Sequence, residues 1–175
     1  RLVVPNSNTL AVQVRPNGSS FADVMSGLTL TIRWSDSSPA LLGTRSLSCP
    51  VAVPLNPTNM VTTGGFKYRT YNSFGSSLLL DEGCQWPADQ WVTIATIPVL
   101  NNTECAEFAI ANDAWTTANS RNFFCTLNGI VRTGLIVGAG LFPGCTPEAD
   151  AADIRLVPGP AYGPGVMVAQ VRSNT

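Results

Sequence analysis

The stretch "SGLTLTIRW", residues 26–34, alternates apolar and polar side chains over most of its length. One set of alternate positions is apolar: Leu28, Leu30, Ile32 and Trp34. The other set is polar: Thr29, Thr31 and Arg33. A period of two is typical of a β-strand with one face in the core and one in water, and it predicts that orientation here.

Similar runs occur on both sides of this stretch. They are "TLAVQVRP" (9–16), "GGFKYRTY" (64–71), "QWVTIATIPVL" (90–100), "CAEFAIAND" (105–113) and "NFFCTLNGIVRTGLIVGAGLF" (122–142). Within the last of them, Asn128-Gly129 favours the type I′ turn of a tight hairpin. Helix-like periodicity is confined to "FADVMSG" (21–27), "PADQW" (87–91) and "TPEADAADI" (146–154). We therefore expect an all-β fold: a single β-sandwich of about nine or ten strands, immunoglobulin-like or jelly-roll, over residues 1–157.

Composition excludes several classes of function. Charged residues make up 12% of the chain and the formal net charge is −1, so no basic patch for nucleic acid or anionic lipid is expected. No apolar run approaches the length of a membrane helix, and we predict no membrane insertion. The chain has no histidine, which removes Ser-His and Cys-His nucleophile pairs and His-ligated metal sites. No carboxylate pair stands out for glycoside hydrolysis, so the prediction is a non-enzymatic protein with no catalytic residue.

Oxygen ligands for calcium are the one metal-binding possibility that the sequence leaves open. Glu148, Asp150 and Asp153 form one acidic cluster, and Asn112-Asp113 forms a polar loop. Extracellular sandwiches use such groups to hold structural calcium, but no D-x-D-x-D-G loop is present. Solvated loops are the favoured interpretation, and we predict neither a cofactor nor a metal site.

The cysteine pattern predicts an exported protein. The five cysteines are Cys49, Cys84, Cys105, Cys125 and Cys145. None forms a C-x-x-C pair, so disulfides are favoured over zinc, and the odd number leaves one thiol over whichever pairing is drawn. Disulfides and the single lysine suit an extracellular or cell-surface structural protein.

The C-terminal residues, 158–175, are predicted to form a hinge followed by a strand. The hinge lies in "VPGPAYGPG" and contains Pro158, Gly159, Pro160, Gly163, Pro164 and Gly165. The last run, "GVMVAQVRSNT", is apolar on both alternating faces: Met167, Ala169 and Val171 on one, Val166 and Val168 on the other. Such a strand suits insertion between neighbours, either in a second subunit by strand addition or back into its own sandwich. The N-terminal "RLVVP", with Leu2, Val3 and Val4, is a second candidate arm for subunit contact.

Exposed aromatic residues suggest a different function. Trp34 lies on the apolar face of its strand and is expected in the core. Trp91 shares a strand face with Thr93, and Trp86 is close in sequence, so these two are the candidates for stacking on a sugar. They would make the chain a monomeric carbohydrate-binding or adhesin module that binds surface glycans.

Several motifs carry a resemblance to a known family. "FADVMSGLTLTIRW", "GGFKYRTYNSF", "WPADQWVTIATIPV", "AEFAIANDAW" and "FFCTLNGIVRTG" resemble an extracellular cohesin- or adhesin-like β-sandwich domain of secreted and surface proteins of Bacteroidota. The resemblance covers roughly residues 9–134 and implies a location and a fold more than an activity. Our leading hypothesis from the sequence is a structural subunit that binds copies of itself to form a surface filament, sheath or adhesive layer.

Overall fold

A computed structural model of the chain describes residues 1–144 and the backbone of two later strands, 155–158 and 167–170. The chain divides into two compact units, Arg1–Gly144 and Cys145–Thr175. The boundary between residues 157 and 158 that the sequence suggested lies within the second unit and stays a prediction.

Fourteen strands are described, more than the nine or ten expected, because several are only two residues long. The first seven are β1 (Leu2–Asn6), β2 (Thr9–Val14), β3 (Gly27–Ser35), β4 (Leu41–Leu42), β5 (Ser46–Leu47), β6 (Asn56–Pro57) and β7 (Val61–Thr63). The others are β8 (Phe66–Ser73), β9 (Val92–Leu100), β10 (Ala109–Ile110), β11 (Phe124–Leu127), β12 (Ile130–Val131), β13 (Arg155–Pro158) and β14 (Met167–Gln170). A 3₁₀ helix spans Leu79–Glu82, and the α-helix α1 spans Ala114–Ala118.

The strands of the first unit form two antiparallel sheets, which confirms the predicted all-β sandwich. The first sheet has the order β1-β2-β9-β4, and β5 also pairs with β9. The second has the order β12-β11-β3-β8-β6, with β10 paired to β3 and β7 paired to β8. The edges of the second sheet are thus β12 on one side and β6 with β7 on the other.

The apolar face of β3 forms the centre of the core, as its alternation predicted. The four apolar residues of β3 are all buried, and Trp34 stacks on Phe108 with ring centroids 5.4 Å apart. The Trp34 indole N–H donates to the carbonyl of Ala40 at 2.9 Å, so the ring is buried without an unpaired donor. Leu10 of β2 and Ile97 of β9 belong to the same buried cluster.

The opposite face of β3 is only partly open to water: Thr29 and Arg33 are partly exposed, as expected, but for Thr31 the expectation is wrong. Thr31 is completely buried, and so is its partner on β8, Thr70, at 1% exposure. Strand β10 pairs with β3 in the same sheet, and the Arg121 carbonyl, after α1, accepts a hydrogen bond from Thr31. Threonine suits either environment because its hydroxyl can bond within the protein as well as to water.

Local signals in the sequence are partly confirmed. Asn128 and Gly129 have φ angles of 52° and 76°, as the predicted type I′ turn between β11 and β12 requires. Helix α1 was not expected, although Asp113 and Thr116 form a capping box at its start. The segments 21–27 and 87–91 contain no helix, and "TPEADAADI" lies outside the described residues.

Candidate assembly surface and the predicted site residues

The hairpin β11–β12 presents apolar side chains at the edge of the second sheet. Ile130 is 55% exposed and Val131 is 61% exposed. Phe124, Leu135, Val137 and Phe142, from the same part of the chain, are also exposed. Large apolar side chains gathered along a sheet edge are a recognised site of contact between chains.

Residues 134–140, which follow this hairpin, have no ladder partner among the described residues. The hydrogen bonds of the sheet stop just before them: Arg132 N–H donates to the Cys125 carbonyl at 2.8 Å, and the Cys125 N–H donates to Thr133 Oγ1 at 3.0 Å. Pairing resumes at Leu141, which exchanges two backbone hydrogen bonds with Phe108. The 134–140 segment is therefore held at both ends while its own "GLIVGAG" backbone is unpaired in the described part of the molecule.

The second unit contains a two-stranded antiparallel hairpin. In its register, Arg155 pairs with Gln170 and Pro158 pairs with Met167. Of the predicted contact residues, Met167, Val168 and Ala169 lie in β14, whereas Val166 and Val171 lie outside the described residues. Pro158 ends β13, and the other predicted hinge residues (Gly159, Pro160, Gly163, Pro164 and Gly165) are also outside them. The predicted hinge thus connects two paired strands, and its conformation remains a prediction.

The N-terminal arm pairs within its own sandwich. Leu2 of β1 lies opposite Val12 of β2 and is buried in the core. Val3 is half-buried, and Val4 is exposed. In this arrangement Leu2 faces its own core, whereas Val4, on the edge strand of the first sheet, remains accessible to another molecule.

The two candidate sugar-binding tryptophans differ in exposure. Trp86 is only 4% exposed and its ring packs near Phe21, which corrects the expectation that it is a surface residue. Phe21 and Trp86 form an isolated antiparallel bridge, which places Trp86 beside a segment far away in sequence. The short distance in sequence to Trp91 does not predict this pairing. Trp91 is half-buried, with the guanidinium carbon of Arg1 4.0 Å from its ring centre and that of Arg15 at 5.2 Å. Arginines therefore already occupy part of its π surface.

The cysteines separate into different chemical states. Cys49 and Cys84 form a disulfide, as expected of two of the candidates. Cys105 is disulfide-bonded as well. Cys125 is a free, half-buried thiol, and its burial raises its pKa to about 11. Cys145 lies outside the described residues.

The Asn112-Asp113 loop uses its carboxylate within the protein. Asp113 caps α1, lies 2.7 Å from the Arg33 guanidinium, and accepts a hydrogen bond from the Tyr68 hydroxyl at 3.1 Å. Burial alone would raise the pKa of Asp113, but hydrogen bonds from Thr116, Tyr68 and Arg33 together lower it. No group of three or more potential metal-binding side chains occurs in the described part of the chain, and Glu148, Asp150 and Asp153 lie outside it.

Comparisons with protein families, with curated proteins and with solved structures gave no match. Among the residues that the structure describes, no helix is long and apolar enough to span a membrane. The exposure of the β11–β12 edge could not be predicted from the sequence, because strand-forming residues look the same whether the strand is central or at a sheet edge. The available signal was the unbroken apolar run "LIV", residues 135–137, directly after the hairpin.

Proposed function

We propose that this chain is a non-enzymatic, extracellular structural subunit that assembles with copies of itself by strand addition. The acceptor is the β12 edge with the adjoining 134–140 segment, and the donor is the C-terminal strand of a second copy. The observation that carries the proposal is the 134–140 backbone, which has no ladder partner among the described residues, beside a sheet edge with exposed apolar side chains. Unpaired backbone groups at such an edge gain hydrogen bonds when another strand docks.

Two features of the second unit make its C-terminal strand, β14, the donor. The sheet that β13 and β14 form has two strands, and an isolated two-stranded hairpin is only marginally stable in water. In residues 166–171 every position except Gln170 is apolar, so one face of the strand would contact the acceptor while the other would also need cover. Docking on the edge of a second copy would add a strand partner and extend the two-stranded sheet.

Two further features support the extracellular part of the proposal. The Cys49–Cys84 disulfide suits an oxidising compartment. The resemblance of several strand and turn motifs to a surface domain of Bacteroidota implies the same location. A filament, sheath or adhesive layer is the assembly that repeated head-to-tail addition produces.

The experiment compares full-length protein with three variants under non-reducing conditions, by negative-stain electron microscopy and size-exclusion chromatography. Val131→Lys places a charge on the acceptor edge, and deletion of residues 166–175 removes the donor. Both are expected to abolish regular polymers. Val51→Lys is the matched control, because Val51 is 64% exposed and Val131 is 61% exposed. It is expected to assemble like the parent.

Mixing separates strand exchange from misfolding. Val131→Lys keeps an intact donor and the deletion variant keeps an intact acceptor, so an equimolar mixture should form a complex of one copy of each that does not grow. Folded monomers of the unmodified protein, or polymers that persist in both variants, would overturn the proposal.

A further inference from the structure

A small pocket lies between the β4–β5 segment of the first sheet and strands β6 and β8 of the second sheet. Strand β12 is at the other edge of the second sheet. Its volume is about 210 Å³. It is lined by Leu42 at the end of β4, by Gly43, Thr44 and Arg45 between β4 and β5, by Pro57 of β6, and by Arg69 and Tyr71 of β8. The pocket and the proposed acceptor edge therefore lie at opposite edges of the second sheet.

Two arginines line this pocket, and none of its lining residues is acidic. Arg69 Nε is buried and has no hydrogen-bond partner in the described part of the protein. Arg45 is held by neutral acceptors: Nη2 lies 2.9 Å from the Pro54 carbonyl and 2.9 Å from Asn56 Oδ1. Placing two cations together without a counter-charge is unfavourable, and an anionic ligand would offset that cost.

Tyr71 adds a neutral hydrogen-bond donor to the same wall. Burial raises the pKa of its hydroxyl to about 12, although Arg69 and Arg45 both act to lower it. The phenol is therefore protonated at neutral pH. The Tyr71 hydroxyl makes no hydrogen bond to any residue that the structure describes, which leaves it available to a ligand.

We propose that this pocket binds an oxyanion group, a carboxylate or a sulfate, between Arg69, Arg45 and the Tyr71 hydroxyl. Guanidinium groups bind planar carboxylates and sulfate-like anions through paired N–H donors. The volume is below the roughly 300 Å³ at which pockets for drug-sized ligands begin, so it suits one charged group or one acidic sugar ring rather than a larger ligand.

The test is isothermal titration of the full chain with sodium sulfate, sodium acetate and sodium glucuronate, at constant ionic strength with sodium chloride as the blank. We expect saturable binding of at least one oxyanion at one equivalent. Arg69→Gln should weaken it by about tenfold or more, because it removes a charged donor pair. Tyr71→Phe should weaken it by about threefold to tenfold, because it removes one hydroxyl and keeps the ring in the core.

Arg132→Gln is the matched control, because it removes the same charge from an exposed residue outside the pocket. Its affinity should equal that of the parent. Circular dichroism checks that each variant is folded. If Arg69→Gln does not fold, the loss of affinity in Tyr71→Phe tests whether the oxyanion binds in this pocket. Sulfate binding without glucuronate binding would assign the site to a sulfate group, and the reverse to a carboxylate. No saturable binding, or equal losses in Arg69→Gln and Arg132→Gln, would overturn the proposal whether or not the chain polymerises.

Discussion

Thr31 and Thr70 are hydrogen-bonded across β3 and β8, with their hydroxyl oxygens 2.9 Å apart in a buried site. Thr31 Oγ1 also lies 2.7 Å from the Arg121 carbonyl, which can only accept. A hydroxyl has one hydrogen, so Thr31 donates to Arg121 and Thr70 donates to Thr31. The two threonines therefore have different hydrogen-bonding roles, although both are buried and they lie opposite each other in the β3–β8 register.

This inequality predicts different costs for the same substitution. Thr31→Val removes the partner of the buried Thr70 hydroxyl and of the part-buried Arg121 carbonyl, and should lower the free energy of unfolding by about 1–3 kcal/mol. Thr70→Val removes one donor and leaves the Thr31–Arg121 bond intact, so its cost should be about 1 kcal/mol or less. Urea unfolding of the two variants measures the difference. Equal costs, or the reverse order, would contradict the assigned donor directions.

The same two residues show how far the sequence could predict the fold. Alternation in 26–34 correctly predicted the strand and its core face, because the period of side chains along a strand is a local property. It could not predict that Thr31, on the other face, is buried. That depends on β10 pairing with β3 and on Arg121 lying above Thr31, contacts between segments far apart in the chain.

The candidate sites show the same contrast between local features, which the sequence predicts, and contacts between distant segments, which it does not. The Asn128-Gly129 turn was predicted because its backbone requirement lies within two residues. The pocket was missed because Arg45 and Arg69 come together only through the pairing of different strands. Trp86 was misplaced for the same reason, since its bridge to Phe21 joins segments that the sequence separates.

Asp113 predicts a pH dependence of stability. Asp113→Ala removes the cap of α1 and the partner of Arg33, and should cost about 1–3 kcal/mol at neutral pH. Asp113→Asn keeps a good capping side chain but loses the charge, so its cost should be smaller. Because the folded protein lowers the pKa of Asp113 below its ordinary value of 3.8, the charge stabilises the fold above that value. This contribution is lost as the pH falls through the folded pKa.

The difference between the parent and Asp113→Asn should therefore shrink as the pH is lowered from neutral to below 3.8. Chemical denaturation at a series of pH values measures it. A difference that stays constant, or grows in acid, would show that the carboxylate does not stabilise the folded state through its charge.

The Cys49–Cys84 disulfide should contribute strongly to stability. It links residues 35 apart in sequence, and the loop-closure model gives about 4 kcal/mol for a loop of that length. Cys49→Ala with Cys84→Ala, kept under non-reducing conditions, isolates this bond from the disulfide of Cys105. Thermal unfolding should show a clearly lower Tm for the double variant. An unchanged Tm would mean that the bond adds nothing to stability.

The Cys125 thiol should react slowly in the folded protein. Its pKa of about 11 means that little thiolate is present at pH 8, and half-burial restricts access of the reagent. Iodoacetamide labelling followed by mass spectrometry should show slow modification that accelerates strongly in denaturant. Cys125→Ser serves as the control that identifies the labelled residue. Labelling at the rate of an unfolded cysteine would contradict the burial.

Gly129 and Gly134 provide a matched pair for testing the hairpin that supports the proposed acceptor edge. Gly129 has a φ of +76°, in the left-handed region, and a Cβ added there would meet nothing within 4 Å. Gly129→Ala therefore tests backbone strain alone, and should lower the free energy of unfolding by about 1–2 kcal/mol.

Gly134 also has open space around it and is not in the left-handed region. Gly134→Ala should be neutral or slightly stabilising, because alanine reduces the freedom of the unfolded chain. Urea unfolding of both variants compares them directly, and equal effects would show that the β11–β12 turn does not require the conformation described.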